Sequence, residues 1–69
     1  MPKAADPLLR KVGERIRRLR SERGLSQEEL ADRAGLDRSY MSGIERGVRN
    51  TSVLKLAAIA KSLDVPVRE

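Results

Sequence analysis

Arg38, Ser39, Ser42 and Arg46 are the side chains of this sequence best equipped for chemistry. Spaced at 100° per residue along a helix, they fall on one side of the segment Arg38–Arg46, while Tyr40, Met41 and Ile44 fall on the other. Guanidinium forks and hydroxyls arranged this way give and take hydrogen bonds but attack nothing. The fork of Arg38 matches the O6 and N7 acceptors of guanine, a pairing that discriminates between bases by about 1–3 kcal/mol. Ser39 and Ser42 can bond base edges too, although serine is also common on exposed helix faces. The ordinary alternative for Arg38 is a solvated side chain. Its charge near a helix start opposes the helix dipole, however, and that mild misfit points to use.

Covalent chemistry is poorly served. The sequence has no Cys and no His, which removes thiol nucleophiles, the usual neutral-pH base and every Ser-His or Cys-His arrangement. Glu28 and Asp32 stand four apart and share a helix face, yet nothing near them completes a ligand set for a hard cation. They read as a solvated face. No catalytic residue, metal, cofactor or small-molecule ligand is expected.

Around the Arg38–Arg46 face lie groups suited to a sugar-phosphate backbone. Gln27 falls at the start of a helix, where N–H groups and the positive dipole end already favour a phosphate. Tyr40, Arg46, Arg49 and Asn50 are placed to clamp the backbone further along, with Arg49 long enough to swing into a groove. The plain alternative is a charged loop. Tyr40 is the only aromatic residue, whereas recognition of single strands needs several stacking platforms, so a duplex is the better fit. Gly43 in mid-helix costs about 1 kcal/mol relative to Ala. Close approach to the preceding helix or to DNA would account for it.

The elements that must position these groups are all helical. Asp6-Pro7 provides a cap followed by the ring residue favoured at a first helical position, with residues 1–5 a flexible tail before a single domain over 6–69. Leu9, Val12, Ile16 and Leu19 form the buried stripe of the first helix, leaving Arg10, Lys11, Arg17 and Arg18 toward water, and Gly24 ends it. Ser26 and Glu29 make a capping box, so a second helix runs from Gln27 to about Ala34. Asp37 caps a third over Arg38 to about Arg46, and Gly47 stops it. Thr51 or Ser52 caps a fourth, with Val53, Leu56, Ile59, Ala60 and Leu63 completing the core and Leu54 partly outside that stripe. Pro66 would open a fifth. Between Gln27 and Ile44, the apolar Leu30, Ala34, Leu36, Met41 and Ile44, the small Ala31 and the turn-forming Gly35 meet the spacing of a helix-turn-helix, the unit that lays a helix into the DNA major groove.

Charge distribution agrees. The chain of 69 residues carries net charge +5. Residues 1–23 hold eight basic and three acidic side chains, residues 24–37 one and four, residues 38–55 four and one. Two basic segments flanking an acidic scaffold helix suit a polyanion gripped from two sides. No signal-peptide or transmembrane stretch is expected, so the chain reads as cytoplasmic with no membrane partner. One core this small supplies only about 3–5 kcal/mol of net stability. With no disulfide or zinc staple, dimerisation is the remaining common support.

From about Val12 to Val67 the chain resembles the phage-repressor-like helix-turn-helix family, also called the Cro/C1 or XRE type. Gly24-Leu25-Ser26-Gln27-Glu28-Glu29-Leu30-Ala31 looks like its helix-two signature, and Ile44-Glu45-Arg46-Gly47 like its end of helix three. Within the family, the run from Leu36 to Asn50 is similar to the controller proteins of bacterial restriction-modification systems. The resemblance implies an all-α, four-to-five-helix, lambda-repressor-like domain that binds double-stranded DNA as a symmetric homodimer on a pseudo-palindromic operator. It also implies a structural salt bridge between Arg20 and Glu45. Rival readings are an antitoxin that binds a toxin protein and its own promoter, and the DNA-binding end of a larger protein.

Overall fold

Helix boundaries in this chain are set by short-range capping chemistry. The computed structural model describes residues 7–64, and these form α1 (Pro7–Glu22), α2 (Gln27–Ala34), α3 (Arg38–Arg46) and α4 (Val53–Ser62). No strand occurs among the described residues. The expected tail, the Asp6 cap and the fifth helix from Pro66 lie outside them.

Ser26 Oγ accepts from Glu29 N at 3.0 Å while Glu29 Oε1 accepts from Ser26 N at 2.8 Å, a complete capping box for α2. Asp37 caps α3 by accepting from Ser39 N at 3.0 Å. Of the two candidate caps for α4 it is Ser52 that serves, accepting from Lys55 N at 3.2 Å. Gly35 and Gly47 end α2 and α3 in the left-handed region, with φ of 71° and 75°. Each reversal is closed by a pair of bonds: Leu36 N to Ala31 O (2.8 Å) with Gly35 N to Asp32 O (3.2 Å), then Val48 N to Gly43 O with Gly47 N to Ile44 O (both 3.0 Å). The turn between α2 and α3 is thereby rigid and only three residues long.

α1 packs on α3, and α2 packs on both α3 and α4. The core is Ile16, Leu30, Ala31, Met41, Ile44, Ile59 and Leu63, with Val12, Leu19, Leu25, Ala34, Leu36 and Leu56 packed around it. Three expected core residues are not there: Leu9 and Ala60 are only partly buried and stand outside the cluster, and Val53 is 77% exposed. Val53 has a local reason. It is the first residue of α4, and helical side chains lean toward the N-terminus, so its side chain reaches past the end of the packed surface.

Gly13, unremarked in the sequence, is buried where α1 crosses α3. A Cβ there would collide with the carbonyl oxygens of Ile44 and Glu45, the latter at 2.5 Å. Gly47 is hemmed in likewise, since a Cβ on it would lie 2.7 Å from Arg10 Cα. Two glycines therefore let the backbone of α1 touch the C-terminal end of α3.

Gly13→Ala is expected to lower stability by about 1–3 kcal/mol, read as a fall in melting temperature, because the colliding atoms are backbone and cannot rotate away. An unchanged melting temperature would contradict this crossing. Acid should also destabilise the fold. The N–H and hydroxyl of Ser26 hold the Glu29 carboxyl below its ordinary 4.5, and the hydroxyl and N–H of Ser39 hold Asp37 below its ordinary 3.8. Depressed carboxylates contribute stability that is fully present above those ordinary values and is lost as pH falls through the folded ones. Melts by circular dichroism should accordingly be flat above about pH 5 and decline below it.

Candidate nucleic-acid interface

α3 is anchored from behind by side chains that water does not reach: Met41 is 0% and Ile44 2% exposed. On its opposite side Arg38, Ser39 and Arg46 are exposed, with Ser42 half-buried beside them. Arg38 and Arg46 make no hydrogen bond or ion pair among the described residues, so both forks are free for a ligand. Ser39 is less free. Its hydroxyl donates to Asp37, the cap of its own helix, which leaves oxygen lone pairs, and no proton, for a base edge.

Glu45 lies on the inner side of α3 and is tied to both neighbouring helices. Arg20 of α1 donates to it twice, Nε to Oε2 at 2.7 Å and Nη2 to Oε1 at 3.0 Å, and bonds Leu25 O through Nη1 at 2.8 Å. The side chains are 14% and 2% exposed for Arg20 and Glu45. Bonding to Glu45 holds the Arg20 pKa above its ordinary value. Gln27, expected at a phosphate, instead turns its amide N–H to Glu45 Oε1 at 3.0 Å. That amide nitrogen is held by the protein. What α2 still directs outward is its N-terminal backbone, with acidic Glu28 and Glu29 in the first turn.

Beyond α3 the loop is fastened down. Tyr40 Oη donates to Asn50 O at 3.3 Å, and Asn50 Oδ1 accepts from Thr51 N at 2.9 Å. The Tyr40 ring carries two cations, Lys55 Nζ at 4.5 Å and Arg49 Cζ at 4.9 Å from its centroid. Gly43 does not approach α2, as one expectation had it; the stem of Arg49 lies over it.

A groove of about 390 Å³ runs between α1 and α3. Arg10, Glu14 and Arg17 line it from α1, Ser42 and Arg46 from α3, and Gln27 from α2. Arg10 and Arg17 were expected simply to face water. Their spacing of seven places both on one helix face, and that was the available signal; the partner wall was not visible without the crossing at Gly13. Arg20 and Glu45, paired with each other, also line it, and the three remaining arginines against Glu14 make this groove a place for anionic oxygens. Among the described residues no acidic group of three or more could hold a metal ion, and no helix is long and apolar enough to cross a membrane.

Replacing Glu45 with Gln should cost about 3 kcal/mol, because it strands the Arg20 charge and leaves one carbonyl oxygen where Arg20 and Gln27 now share two acceptors. The variant is expected to melt far below the parent chain. Equal melting temperatures would show that the pair does not hold α1 to α3.

Comparison with known proteins bears on the same residues. A helix-turn-helix family profile matches residues 16–69. The HTH-type transcriptional regulator SinR of Bacillus subtilis is 44% identical over 57 residues, covering 81% of this chain and 51% of SinR. This chain thus spans about half the length of that relative. Among solved structures, the restriction-modification controller protein C.AhdI from Aeromonas hydrophila is 49% identical with a TM-score of 0.89, covering 91% of this chain and 96% of that one. The controller protein C.Esp1396I, solved as a tetramer with its natural 35 base-pair operator, is 46% identical with a TM-score of 0.83, covering 88% and 80%.

Proposed function

Because this chain belongs to the helix-turn-helix family of the Cro/C1 (XRE) type, we propose that it is a sequence-specific, double-stranded DNA-binding regulator of transcription, and within that class a restriction-modification controller. The observation that carries the reading is α3 itself, buried at Met41 and Ile44 and open at two unpaired arginines. Arg38, Ser39 and Ser42 read base edges in the major groove, and Ser39 does so as an acceptor. Tyr40, Arg46, Arg49 and Asn50 clamp the backbone, Gln27 marks the phosphate site at the start of α2, and Arg10 and Arg17 extend the grip along α1.

The chain acts as a homodimer that sets two copies of α3 into adjacent major grooves about 34 Å apart, which matches a pseudo-palindromic operator. Val53 and Leu54, 77% and 82% exposed at the start of α4, provide apolar surface for the second copy. It works in the cytoplasm, without a cofactor and without enzymatic activity of its own. Similarity to the controllers C.AhdI and C.Esp1396I at nearly full length supports the controller role. Similarity to half of SinR supports a second reading, a regulator outside restriction-modification. A restriction endonuclease or methyltransferase gene alongside would favour the first.

Selection of bound sites from random duplexes at a fixed salt concentration tests the core of this reading. Wild-type protein should enrich one symmetric motif, and enrichment of none would end the proposal. Arg38→Ala should then lose about 1–3 kcal/mol of preference for that motif with little change on random DNA, whereas Arg49→Ala should weaken both and flatten the salt dependence by about one unit. Equal losses on selected and random duplexes for Arg38→Ala would remove it from base reading.

A further inference from the structure

Gly43 sits at the edge of the exposed face of α3, and what fills the space of its missing side chain is Arg49. A Cβ built on Gly43 would lie 3.2 Å from Arg49 Cβ, 3.5 Å from its Nε and 3.9 Å from its Cδ. The arginine stem therefore runs across the helix where a side chain would stand. Past the stem, the guanidinium carbon rests 4.9 Å from the centroid of the Tyr40 ring, one helical turn earlier. Two further bonds hold the same loop to the same helix, Val48 N to Gly43 O at 3.0 Å and Tyr40 Oη to Asn50 O at 3.3 Å.

We propose that Gly43 is a positioning residue for Arg49: the absence of a side chain makes a slot that holds the arginine along α3, beside the face of Arg38, Ser39, Ser42 and Arg46. This rests on the DNA-binding reading above and states how one of its backbone contacts is set. A free arginine has many rotamers to lose on binding, and an arginine already laid in a slot has lost them before the duplex arrives. A glycine kept against helix propensity thus serves affinity and not stability. The contact at 3.2 Å is to Arg49 Cβ, which is fixed to the backbone. Even one methyl group at Gly43 must push the loop by a few tenths of an ångström and lift the guanidinium from its place.

The test is Gly43→Ala, measured on the duplex that wild-type protein selects from a random pool, at several salt concentrations. The substitution removes no charge, and the better helix former offsets the cost of the displaced loop, so the melting temperature should change little. Affinity should nevertheless fall about tenfold, and the salt slope should flatten by about one unit, as if a cation had been deleted. Gly43→Ala combined with Arg49→Ala should bind no worse than Arg49→Ala alone. Wild-type affinity for Gly43→Ala, or an unchanged salt slope, or additive losses in the double variant, would each overturn the inference. Should the methyl group unfold the chain, relaxation of Arg49 Nε in the free wild-type protein decides: a rigid guanidinium supports the slot and a freely rotating one refutes it. If wild-type protein selects no duplex at all, the DNA-binding reading has failed, and the role of the slot falls with it.

Discussion

One buried carboxylate fixes the relation of three helices. Glu45 takes two bonds from Arg20 on α1 and one from Gln27 on α2 while belonging to α3. Burying such a pair costs most of what its attraction returns, so the net gain over a well-packed apolar contact is small. What a bidentate fork supplies is angle, because two parallel bonds fix a plane where an apolar contact would allow sliding. Arg46 follows Glu45 and Ser42 precedes it by three residues. The orientation of Glu45 toward α1 therefore sets the orientation of the exposed face on the other side of the same helix.

Backbone contact makes this arrangement possible. Gly13 and Gly47 remove the two side chains that would keep α1 off the C-terminal end of α3, and only at that separation does Arg20 reach Glu45. The same crossing forms the groove in which Arg10 and Arg17 face Ser42 and Arg46. Small residues and a charged pair thus act on one geometry: the glycines set the distance and the fork sets the rotation. Acidic Glu28, Glu29 and Asp32 on α2 lie outside this geometry and satisfy helix-end and solvent requirements instead.

Which features could be read from the chain follows the range of the interactions behind them. Capping boxes, N-cap oxygens and left-handed glycines act within a few residues, and α2 and α3 begin and end where Ser26, Asp37, Gly35 and Gly47 required. The helix-turn-helix core was legible for the same reason, its seven positions spanning a single short motif. Features that need two elements to meet were not. Gly13 has no local reason to be glycine, the partner of the Gln27 amide is eighteen residues away, and the exposure of Val53 depends on where the packed surface ends. The pair of Arg20 and Glu45, twenty-five apart, came from family resemblance and not from spacing.

The exposed side of α3 runs against local preference at Arg38, and its buried edge does so at Gly43. Arg38 places a cation at the positive end of a helix dipole, and Gly43 weakens the middle of the helix. Arg46, in the last turn, suits the dipole but has no partner among the described residues. Propensity and dipole alone would favour other residues at Arg38 and Gly43. The inner side compensates with Met41 and Ile44 fully packed and Glu45 held at three bonds. Such a division is what a recognition helix requires, since forks already satisfied within the protein would have nothing left to offer a ligand. Local misfit on one face, over a buried and hydrogen-bonded back, is the physical signature of a surface shaped by something outside the chain.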